Sequence, residues 1–372
     1  MTRSARRALS ALTALVMTGT LFVGAPSPTY ANGSSVTYYV AQTGDPDGDG
    51  SSCTDPDFVG GDQTPIAAAA TSAVDGDTIY ICAGTYAIES TIDLGAKLLT
   101  LQGAGASVTI LDGGSDTLIL DCTTATVSGL TFLDGRAASG EGGGGPDDGG
   151  AISCTTVTVT NSTFIGNEAS DDGGAISGTT VTVTNSTFMN NNGGDGGAIG
   201  AEGTVTVTNS TFIGNDANSF VGGAIAADGT ATVTNSTFIG NEALIGGAIA
   251  AFGTTVRVTN STFVGNSAAF GGAIATFTGI IAQSRFRRNT AREIGGAVIF
   301  YDPNSDDLRK LRGNTFRLNA APLGGAILLN ACGTTVSRKK ALRIERANLF
   351  LRNSATDQQR TKNIDRWSCS GA

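Results

Sequence analysis

The stretch that decides the fold is GGAISGTTVTVTNSTFMNNN, residues 173–192. Copies of its Gly-Gly-Ala start recur at residues 149, 173, 196, 222, 246, 271, 295 and 324, so successive copies lie 23 to 29 residues apart. Repeats of this length are typical of solenoid proteins, in which each repeat forms one turn and packs against its neighbours. The chain is therefore predicted to be a solenoid.

Each repeat contains its own strand and bend signals. Apolar and polar residues alternate in the run VTVT at residues 181–184, which indicates a half-buried strand. Such runs end at an Asn, a residue that tolerates a left-handed turn and can bond to its copy in the next coil. This predicts a turn ladder at Asn161, Asn185, Asn209, Asn235 and Asn260.

Two further bends complete each repeat. A second Asn follows each Phe by three residues, and the Gly-Gly pair marks the third bend. Three bends and three short strands describe a triangular turn, with Val, Ile and Phe pointing inward and Thr outward. The sequence predicts an all-β protein, a right-handed three-sheet parallel β-helix of about eleven coils with a short N-terminal capping helix.

Three segments are expected along the chain. Residues 1–31 resemble a cleaved signal peptide, with a basic start and an apolar run, so we expect a secreted or cell-surface protein without a transmembrane anchor after cleavage. Residues 32–76 should form a strand, a loop and the capping helix, with Thr64 as its N-cap. Residues 77–372 should form the β-helix, with the repeats at about 120–353 and a basic C-terminal end.

The six cysteines predict disulfides, because their number is even and the chain is expected to be exported. Aligning the coils puts Cys122 and Cys154 in the same inward phase of neighbouring turns, where one strand spacing suits a disulfide. We predict that Cys122 pairs with Cys154, Cys53 with Cys82, and Cys332 with Cys369. Histidine is absent, which excludes chemistry based on a His general base.

Charge is segregated along the chain. Residues 32–279 carry 25 acidic and 3 basic side chains, a net charge of −22, whereas residues 280–372 carry 7 acidic and 17 basic ones, a net charge of +10. The basic end is predicted either to prevent end-to-end stacking or to dock on an anionic cell-envelope polymer or polysaccharide. Self-association with the acidic part of a second copy is a further possibility. Nucleic acid is not an expected partner.

The order of two short motifs gives a resemblance. The stretches STFIGNEASDDGGAIS (162–177) and STFVGNSAAFGGAIA (261–275) alternate Phe-x-x-Asn with Gly-Gly-Ala-Ile. This pattern resembles the repeats of chlamydial polymorphic outer membrane proteins and of related secreted β-helix proteins of the pectin-lyase-like superfamily. The resemblance covers roughly residues 120–353, and residues 76–105 are similar to the first coils of many such proteins.

The resemblance implies one candidate enzyme site. Pectate lyases hold calcium with acidic residues around the equivalent face of their β-helix, and a nearby Arg abstracts a proton. Asp148, Asp172 and Asp195 precede Gly-Gly-Ala in three successive repeats, and Arg136 is the nearest base in sequence. A lyase would use these residues as calcium ligands and base. The alternative is a solvated acidic loop.

A second candidate calcium site lies near the start of the mature chain. Asp45, Asp47 and Asp49 have the alternating spacing of a calcium-binding loop, but Pro56 stands where the loop's final Glu belongs. The alternative is a polar loop beside Cys53. No cofactor is required by the sequence, and calcium is the one that it allows.

The sequence favours a non-catalytic function. Outward threonines form a grid similar to that of ice-binding solenoids, but Arg257 interrupts it and Thr is in any case a common strand residue. We predict an exported cell-surface or extracellular scaffold, adhesin-like or binding envelope polysaccharide. The alternative is a calcium-dependent polysaccharide lyase acting on acidic sugars.

Overall fold

The computed structural model describes residues 35–44, 50–137, 149–218, 220–253, 255–302, 311–331, 338–355 and 364–368. Within them the chain winds as a parallel β-helix, because each strand pairs in parallel with its equivalent in the neighbouring turn. The predicted fold class is confirmed. The signal peptide predicted for residues 1–31 lies outside the described residues.

The first side of the β-helix is a sheet of 18 strands in the described ranges. In the repeats, the strands of this side begin just after the Gly-Gly pair. One long strand covers the side in the first three repeats, and two shorter strands cover it in the next three. The strands are Thr37–Ala41, Phe58–Val59, Thr78–Ile81, Ile92–Asp93, Leu98–Gly103, Leu120–Ser128, Ile152–Thr160, Ile176–Thr184, Ile199–Thr208, Ile225–Ala227, Ala231–Thr234, Ile249–Ala251, Val256–Thr259, Ile274–Thr276, Gly279–Ala282, Val298–Phe300, Ile327–Ala331 and Ile364–Ser368.

The second side is a sheet of 11 short strands among the described residues. They are Gly84–Ala87, Thr109–Asp112, Thr131–Leu133, Thr163–Ile165, Thr187–Met189, Thr211–Ile213, Thr237–Ile239, Thr262–Val264, Arg285–Arg287, Thr315–Arg317 and Leu349–Leu351. In each regular strand the central Phe points inward, so the residues on both sides of it point outward. The prediction that Val, Ile and Phe of the repeat point inward is therefore wrong at the position after Phe, where Ile165, Ile213, Ile239 and Val264 are at least partly exposed.

The third side is the shortest. Its strands are Arg136–Ala137, Glu168–Ala169, Ser267–Phe270, Thr290–Ile294, Ala320–Ala321 and Ser354–Ala355, and single parallel bridges at Asn192, Asp216 and Glu242 join the two groups. Because this side begins only at Arg136, about nine turns in the described chain have all three sides, slightly fewer than the eleven coils expected.

A column of stacked phenylalanines fills the interior. Its successive ring centroids lie 4.6–5.0 Å apart, and the ring planes are within 10° of parallel. Stacking at this separation matches the strand spacing of about 4.8 Å, so each ring covers the next without a gap. The column consists of Phe132, Phe164, Phe188, Phe212, Phe238, Phe263, Phe286, Phe316 and Phe350.

The second series of asparagines forms a buried ladder beside the Phe column. In each turn the backbone N–H and Nδ2 of the Asn both donate to Oδ1 of the Asn in the next turn, at 3.0 and 2.9 Å for Asn191 and Asn215. Nδ2 also donates to the carbonyl of a Phe, which satisfies the buried amide. The members of this Asn ladder are Asn167, Asn191, Asn215, Asn241, Asn266, Asn289, Asn319 and Asn353.

The asparagines predicted as a turn ladder have the expected backbone. Asn161, Asn185, Asn209, Asn235 and Asn260 all have φ of 49–51°, in the left-handed region. Their side chains are exposed, and Asn185 donates to Asn161 at 3.3 Å. The buried side-chain ladder is thus the other series, because only that series points into the β-helix.

A Gly-Gly pair is required where the chain crosses from the third side to the first. Gly222, first of its pair, has φ of 68°. A Cβ on Gly174, second of its pair, would collide with the carbonyl oxygen of Gly197 in the next turn. The repeat therefore needs glycine for both a left-handed backbone and close packing of turns.

Helices lie at both ends of the described β-helix. The N-terminal helix is Thr64–Ser72, and it buries Ile66 and Ala69 against the first turns. Its N-cap residue is Gln63, so the prediction of Thr64 as N-cap is wrong; the Thr64 N–H instead bonds to Asp62 Oδ1 at 2.9 Å. A second helix, Arg338–Ala347, was not predicted.

Two of the three expected disulfides lie within the described residues. Cys53 pairs with Cys82 and Cys122 with Cys154, with Cα atoms 5.7 and 4.7 Å apart. Cys154 and Cys122 are direct register partners in neighbouring turns, as the coil alignment predicted. Cys332 and Cys369 lie outside the described residues. No helix in the described ranges is both long and apolar enough to cross a membrane.

A second hydrophobic cluster lies outside the β-helix in the later turns. Ala275, Ile299 and Leu328 are fully buried, yet they belong to a cluster separate from that of their strand neighbours in the main core. Partly exposed side chains such as Phe252 and Tyr301 cover them. This cluster gives the later turns an apolar outer surface on the first side.

Candidate functional site

Several predicted site residues cannot be placed. Asp45, Asp47, Asp49 and Asp148 lie outside the described residues. Among the residues that are described, no group of three or more Cys, Asp and Glu side chains is arranged to hold a metal ion. Both calcium sites stay predictions of the sequence.

The structure does bring Asp172 and Asp195 to neighbouring turns. The N–H of Asp195 donates to the Asp171 carbonyl at 2.8 Å, and the N–H of Gly194 donates to the Asp172 carbonyl at 3.1 Å. Asp195 is 5 % exposed, whereas Asp172 is half-buried and Asp171 is exposed. The two predicted ligands therefore share a loop stack but differ in their access to solvent.

Arg136 lies on the third side of the β-helix, in direct register with Glu168. Its Nη2 is 3.9 Å from Glu168 Oε1, and both side chains are about half exposed, at 46 and 53 %. An exposed pair of this kind contributes little to stability. It does hold the Arg136 guanidinium toward Glu168, the next residue along this side.

Arg136 and Glu168 begin a longer row, which we call the polar ladder. Seven successive turns of the third side place a polar residue at the same outward position, joined by parallel pairing: Arg136, Glu168, Asn192, Asp216, Glu242, Ser267 and Thr290. Neighbours in the ladder are one strand spacing, about 4.8 Å, apart. The next position in the row is Ala320, so the ladder ends at Thr290.

The buried Asn ladder positions the polar ladder. From Glu168 on, each member directly follows a buried Asn, as Asp216 follows Asn215. The N–H of Asp216 donates to the Asn191 carbonyl at 3.0 Å, and the N–H of Glu242 donates to the Asn215 carbonyl at the same distance. The spacing of the exposed side chains is therefore fixed by hydrogen bonds inside the β-helix.

A shallow depression of about 180 Å³ lies at the middle of the polar ladder. It is lined by Asp216, Asn218, Glu242, Ala243 and Arg292. The N–H of Asn218 donates to Asp216 Oδ1 at 3.0 Å, and the side-chain amides of Asn192 and Asn218 bond to each other. Two carboxylates, one amide and a guanidinium thus offer both acceptors and donors to one ligand.

Carboxylates crowd the surface of the first turns. Burial and the neighbouring Asp112 raise the pKa of Asp134, and desolvation and the neighbouring Asp93 raise the pKa of Asp121. Asp93 and Asp121 are register partners in adjacent strands, which explains their mutual repulsion. The acidic excess of the sequence is therefore concentrated at particular positions of the early turns.

Arginines dominate the outer surface of the last turns of the second side. Arg285 and Arg287 point outward on either side of the buried Phe286, and Arg287 is the register partner of Arg317. The chain turns at Arg288, which has φ of 55° and an exposed side chain. Part of the basic end predicted from the sequence is thus a cluster of outward arginines on one sheet, and other basic residues lie in the helix Arg338–Ala347.

Sequence reasoning missed the polar ladder. It considered the acidic residues before each Gly-Gly pair, whereas the ladder occupies the position after each buried Asn. That position was visible in the repeat as the residue following Phe-x-x-Asn. Of the predicted catalytic and metal-binding residues, only Arg136 belongs to the ladder.

Comparisons with known proteins agree with this architecture. The family model described as "Right handed beta helix region" matches residues 117–285 and 181–341. No curated protein sequence matches the chain. Among solved structures, the chain is similar to a mutant of the PL6 family alginate lyase AlyGC, with 16 % identity, a TM-score of 0.35, and coverage of 82 % of this chain and 52 % of that one. The chain thus spans about half the length of that lyase.

Proposed function

The chain belongs to the family of right-handed β-helix regions, and from this premise we propose that it is an exported, non-catalytic scaffold that binds a hydroxyl-rich polysaccharide along the polar ladder. One observation carries the proposal: seven successive turns present a polar side chain at the same outward position. A repeating row of donors and acceptors suits a repeating polymer.

The chemistry of the ladder fits sugar hydroxyls. Carboxylates such as Asp216 and Glu242 accept hydrogen bonds, and Arg292 donates them. Hydrogen bonds to the Asn carbonyls fix the backbone of Asp216 and Glu242 before binding, and the Asn218 N–H holds the Asp216 carboxylate, which lowers the conformational entropy lost when the ligand binds. The depression is smaller and more open than the usual small-molecule site of about 300–1,000 Å³, which favours a long ligand bound across many turns.

Export and a surface location are part of the proposal. The predicted signal peptide at residues 1–31 and two disulfides in the described chain support an oxidising compartment. An adhesin-like role on the cell surface or in the extracellular space follows from a rigid rod that binds polymers along its side.

Binding of the mature chain to a panel of neutral and acidic polysaccharides tests the proposal. The double variant Asp216→Asn with Glu242→Gln removes two charged acceptors, so its affinity should fall by at least about tenfold. The matched control is Glu202→Gln, an exposed carboxylate on the first side of the β-helix, which should bind like the wild type. Equal binding by the double variant would contradict a role for the ladder.

The same panel distinguishes the lyase alternative. Each polysaccharide is incubated with the protein and calcium, and unsaturated sugar products are followed by ultraviolet absorbance. The scaffold proposal expects no product. Product formed by the wild type and lost in Arg136→Ala would replace the scaffold with a lyase that uses Arg136.

A further inference from the structure

The second side of the β-helix carries an unusual column of exposed aliphatic residues. The outward position after each buried Phe is aliphatic in six successive turns, joined in register: Leu133, Ile165, Met189, Ile213, Ile239 and Val264. We call this row the aliphatic column. Each member is at least partly exposed, and Ile239 is 39 % exposed. A contiguous apolar row on a protein surface is typical of an interaction site.

Opposite charges stand at the two ends of the aliphatic column. Its register partner before Leu133 is Asp112, and its partners after Val264 are Arg287 and then Arg317. The residues one position further along the chain, in the bends that follow these strands, form a neighbouring column with the same order of charges. It has Asp134 at one end and Arg288 at the other, and mainly glycine between them.

The face around the aliphatic column is flat and accessible. On one side the next outward row is threonine from Thr163 to Thr262, and on the other the bends carry Gly166, Asn190, Gly214, Gly240 and Gly265, so that Asn190 contributes the one side chain of this row between Asp134 and Arg288. These glycines, all with φ of 61–65°, have no side chain to rise above the aliphatic residues. A second flat sheet can therefore approach to the usual face-to-face distance of about 10 Å.

We propose that two copies of this chain form an antiparallel dimer through this face. The twofold axis lies between the two copies and runs parallel to the strand Thr211–Ile213. The axis places Ile213 against its own copy, Met189 against Ile239, and Ile165 against Val264. The acidic end of each copy then meets the basic end of the other. Asp112 faces Arg317, and Asp134 faces Arg288, beside Arg287.

The spacing of the charges selects this arrangement. Counted in register, Asp112 lies four turns before Ile213 and Arg317 four turns after it, while Leu133 and Arg287 lie three turns away on either side. A parallel pair would instead place carboxylates against carboxylates and guanidiniums against guanidiniums. Self-complementary contacts about one axis are the property of a twofold interface.

The electrostatics of the isolated chain agree with the dimer. Burial and, as the smaller cause, the neighbouring Asp112 raise the pKa of Asp134, so the carboxylates of Asp112 and Asp134 repel each other at the acidic end. An arginine from a second copy relieves that repulsion. The polar ladder lies on another side of the β-helix and remains accessible in the dimer.

The size of the face sets the expected affinity. Nine turns at about 4.8 Å and a width of about 10 Å give roughly 400 Å² per copy, half the usual value for a stable complex. The dimer should therefore be reversible, with a dissociation constant of about 10 to 100 µM. It should weaken with salt because its two ends are ionic.

Sedimentation equilibrium of the mature chain over about 5 to 500 µM tests the proposal. The variant Ile213→Lys places two ammonium groups together on the axis and should raise the dissociation constant at least about a hundredfold. The matched control is Thr206→Lys, in the same turn but on the first side, which should dimerise like the wild type. A wild type that stays monomeric over the whole range overturns the proposal.

Exchanging the two charges that face each other across the axis tests the dimer even where Ile213→Lys fails to fold. Asp134→Arg and Arg288→Asp should each weaken the dimer, and the double variant should recover it, because each altered residue faces the other across the axis. Arg288 already adopts the left-handed backbone at the position equivalent to Asp134, so the exchange suits both turns. Lack of recovery overturns the proposal. A monomer that binds an anionic polymer through Arg287 and Arg317 also overturns it and assigns the arginines to that polymer.

Discussion

The acidic turns, up to residue 279, and the basic turns, from residue 280 on, share an interior and differ in almost everything outside it. The Phe rings are 4.9 Å apart between Phe132 and Phe164 and 4.8 Å apart between Phe286 and Phe316. Outside, a net charge of −22 over residues 32–279 changes to +10 over residues 280–372. The interior thus sets the backbone, and the surface is free to acquire separate binding properties.

The largest effect should come from the shared interior. Phe188→Ala in the acidic turns and Phe286→Ala in the basic turns each remove one ring from the column, and each should cost about 3 to 5 kcal/mol of unfolding free energy. Denaturant unfolding measures both. The control Thr206→Ala, at a half-buried position that points outward, should change stability by less than about 0.5 kcal/mol. Clearly unequal costs for the two Phe variants would show that the interiors are not equivalent.

Both disulfides that the structure describes lie in the acidic turns, and the link between Cys122 and Cys154 gives the next expected effect. Replacing Cys122 and Cys154 together with Ala removes a link between adjacent turns and should cost about 2 to 4 kcal/mol. The measurement is denaturant unfolding with and without reductant. Reduced wild type should be at least as destabilised as the variant. A variant as stable as the oxidised wild type would refute a stabilising role for this link.

The two asparagine series give a matched pair of smaller effects. Asn215→Ala leaves the Asn191 N–H and the Phe188 carbonyl without their buried partner and should cost about 3 kcal/mol. Asn209→Gly keeps the left-handed backbone in an exposed turn and should change stability by about 0.5 kcal/mol or less. Thermal unfolding of both variants checks the order. The reverse order would contradict the assignment of the ladder.

The smallest effect concerns the charge of the acidic turns. Because the pKa of Asp121 is raised above its ordinary value of 3.8, the folded state holds the proton more tightly than the unfolded state does. Stability linked to this group is full below about pH 3.8 and is lost as pH rises through the folded pKa. Asp121→Asn should therefore be more stable than the wild type at pH 7, with a difference that disappears at low pH.

Unfolding at a series of pH values measures that difference. A destabilised Asp121→Asn at pH 7 would mean that its carboxylate makes favourable contacts that outweigh the repulsion from Asp93.

The fold can be predicted from the sequence because the same residue pattern recurs in every repeat. Gly174, Phe188 and Asn191 each recur with their turn, so even a rough alignment of coils places Cys122 beside Cys154. The helix Arg338–Ala347 was missed because most of its residues are charged; among its described side chains, Ile344 is buried in the core and Ala341 packs against it.

The outer surfaces are harder to read from sequence. Ile165 and Val159 have similar hydrophobicity, but the first points outward beside Phe164 and the second is buried, which depends on the strand to which each belongs. The aliphatic column and the polar ladder both arise from such phase relations. They become visible only when neighbouring turns are in register.

The Asn ladder also has a direction, and this bears on how the protein is made. From Asn167 to Asn319 every member donates its N–H and its Nδ2 to the Oδ1 of the Asn in the following turn, and Nδ2 also donates to a Phe carbonyl in the preceding turn. The ribosome synthesises the turns in the same order, so the N–H and Nδ2 of each ladder Asn have no Oδ1 acceptor until the following turn has been made. Each new turn therefore supplies the acceptor for two buried donors of the turn before it, as Asn215 Oδ1 does for the N–H and Nδ2 of Asn191.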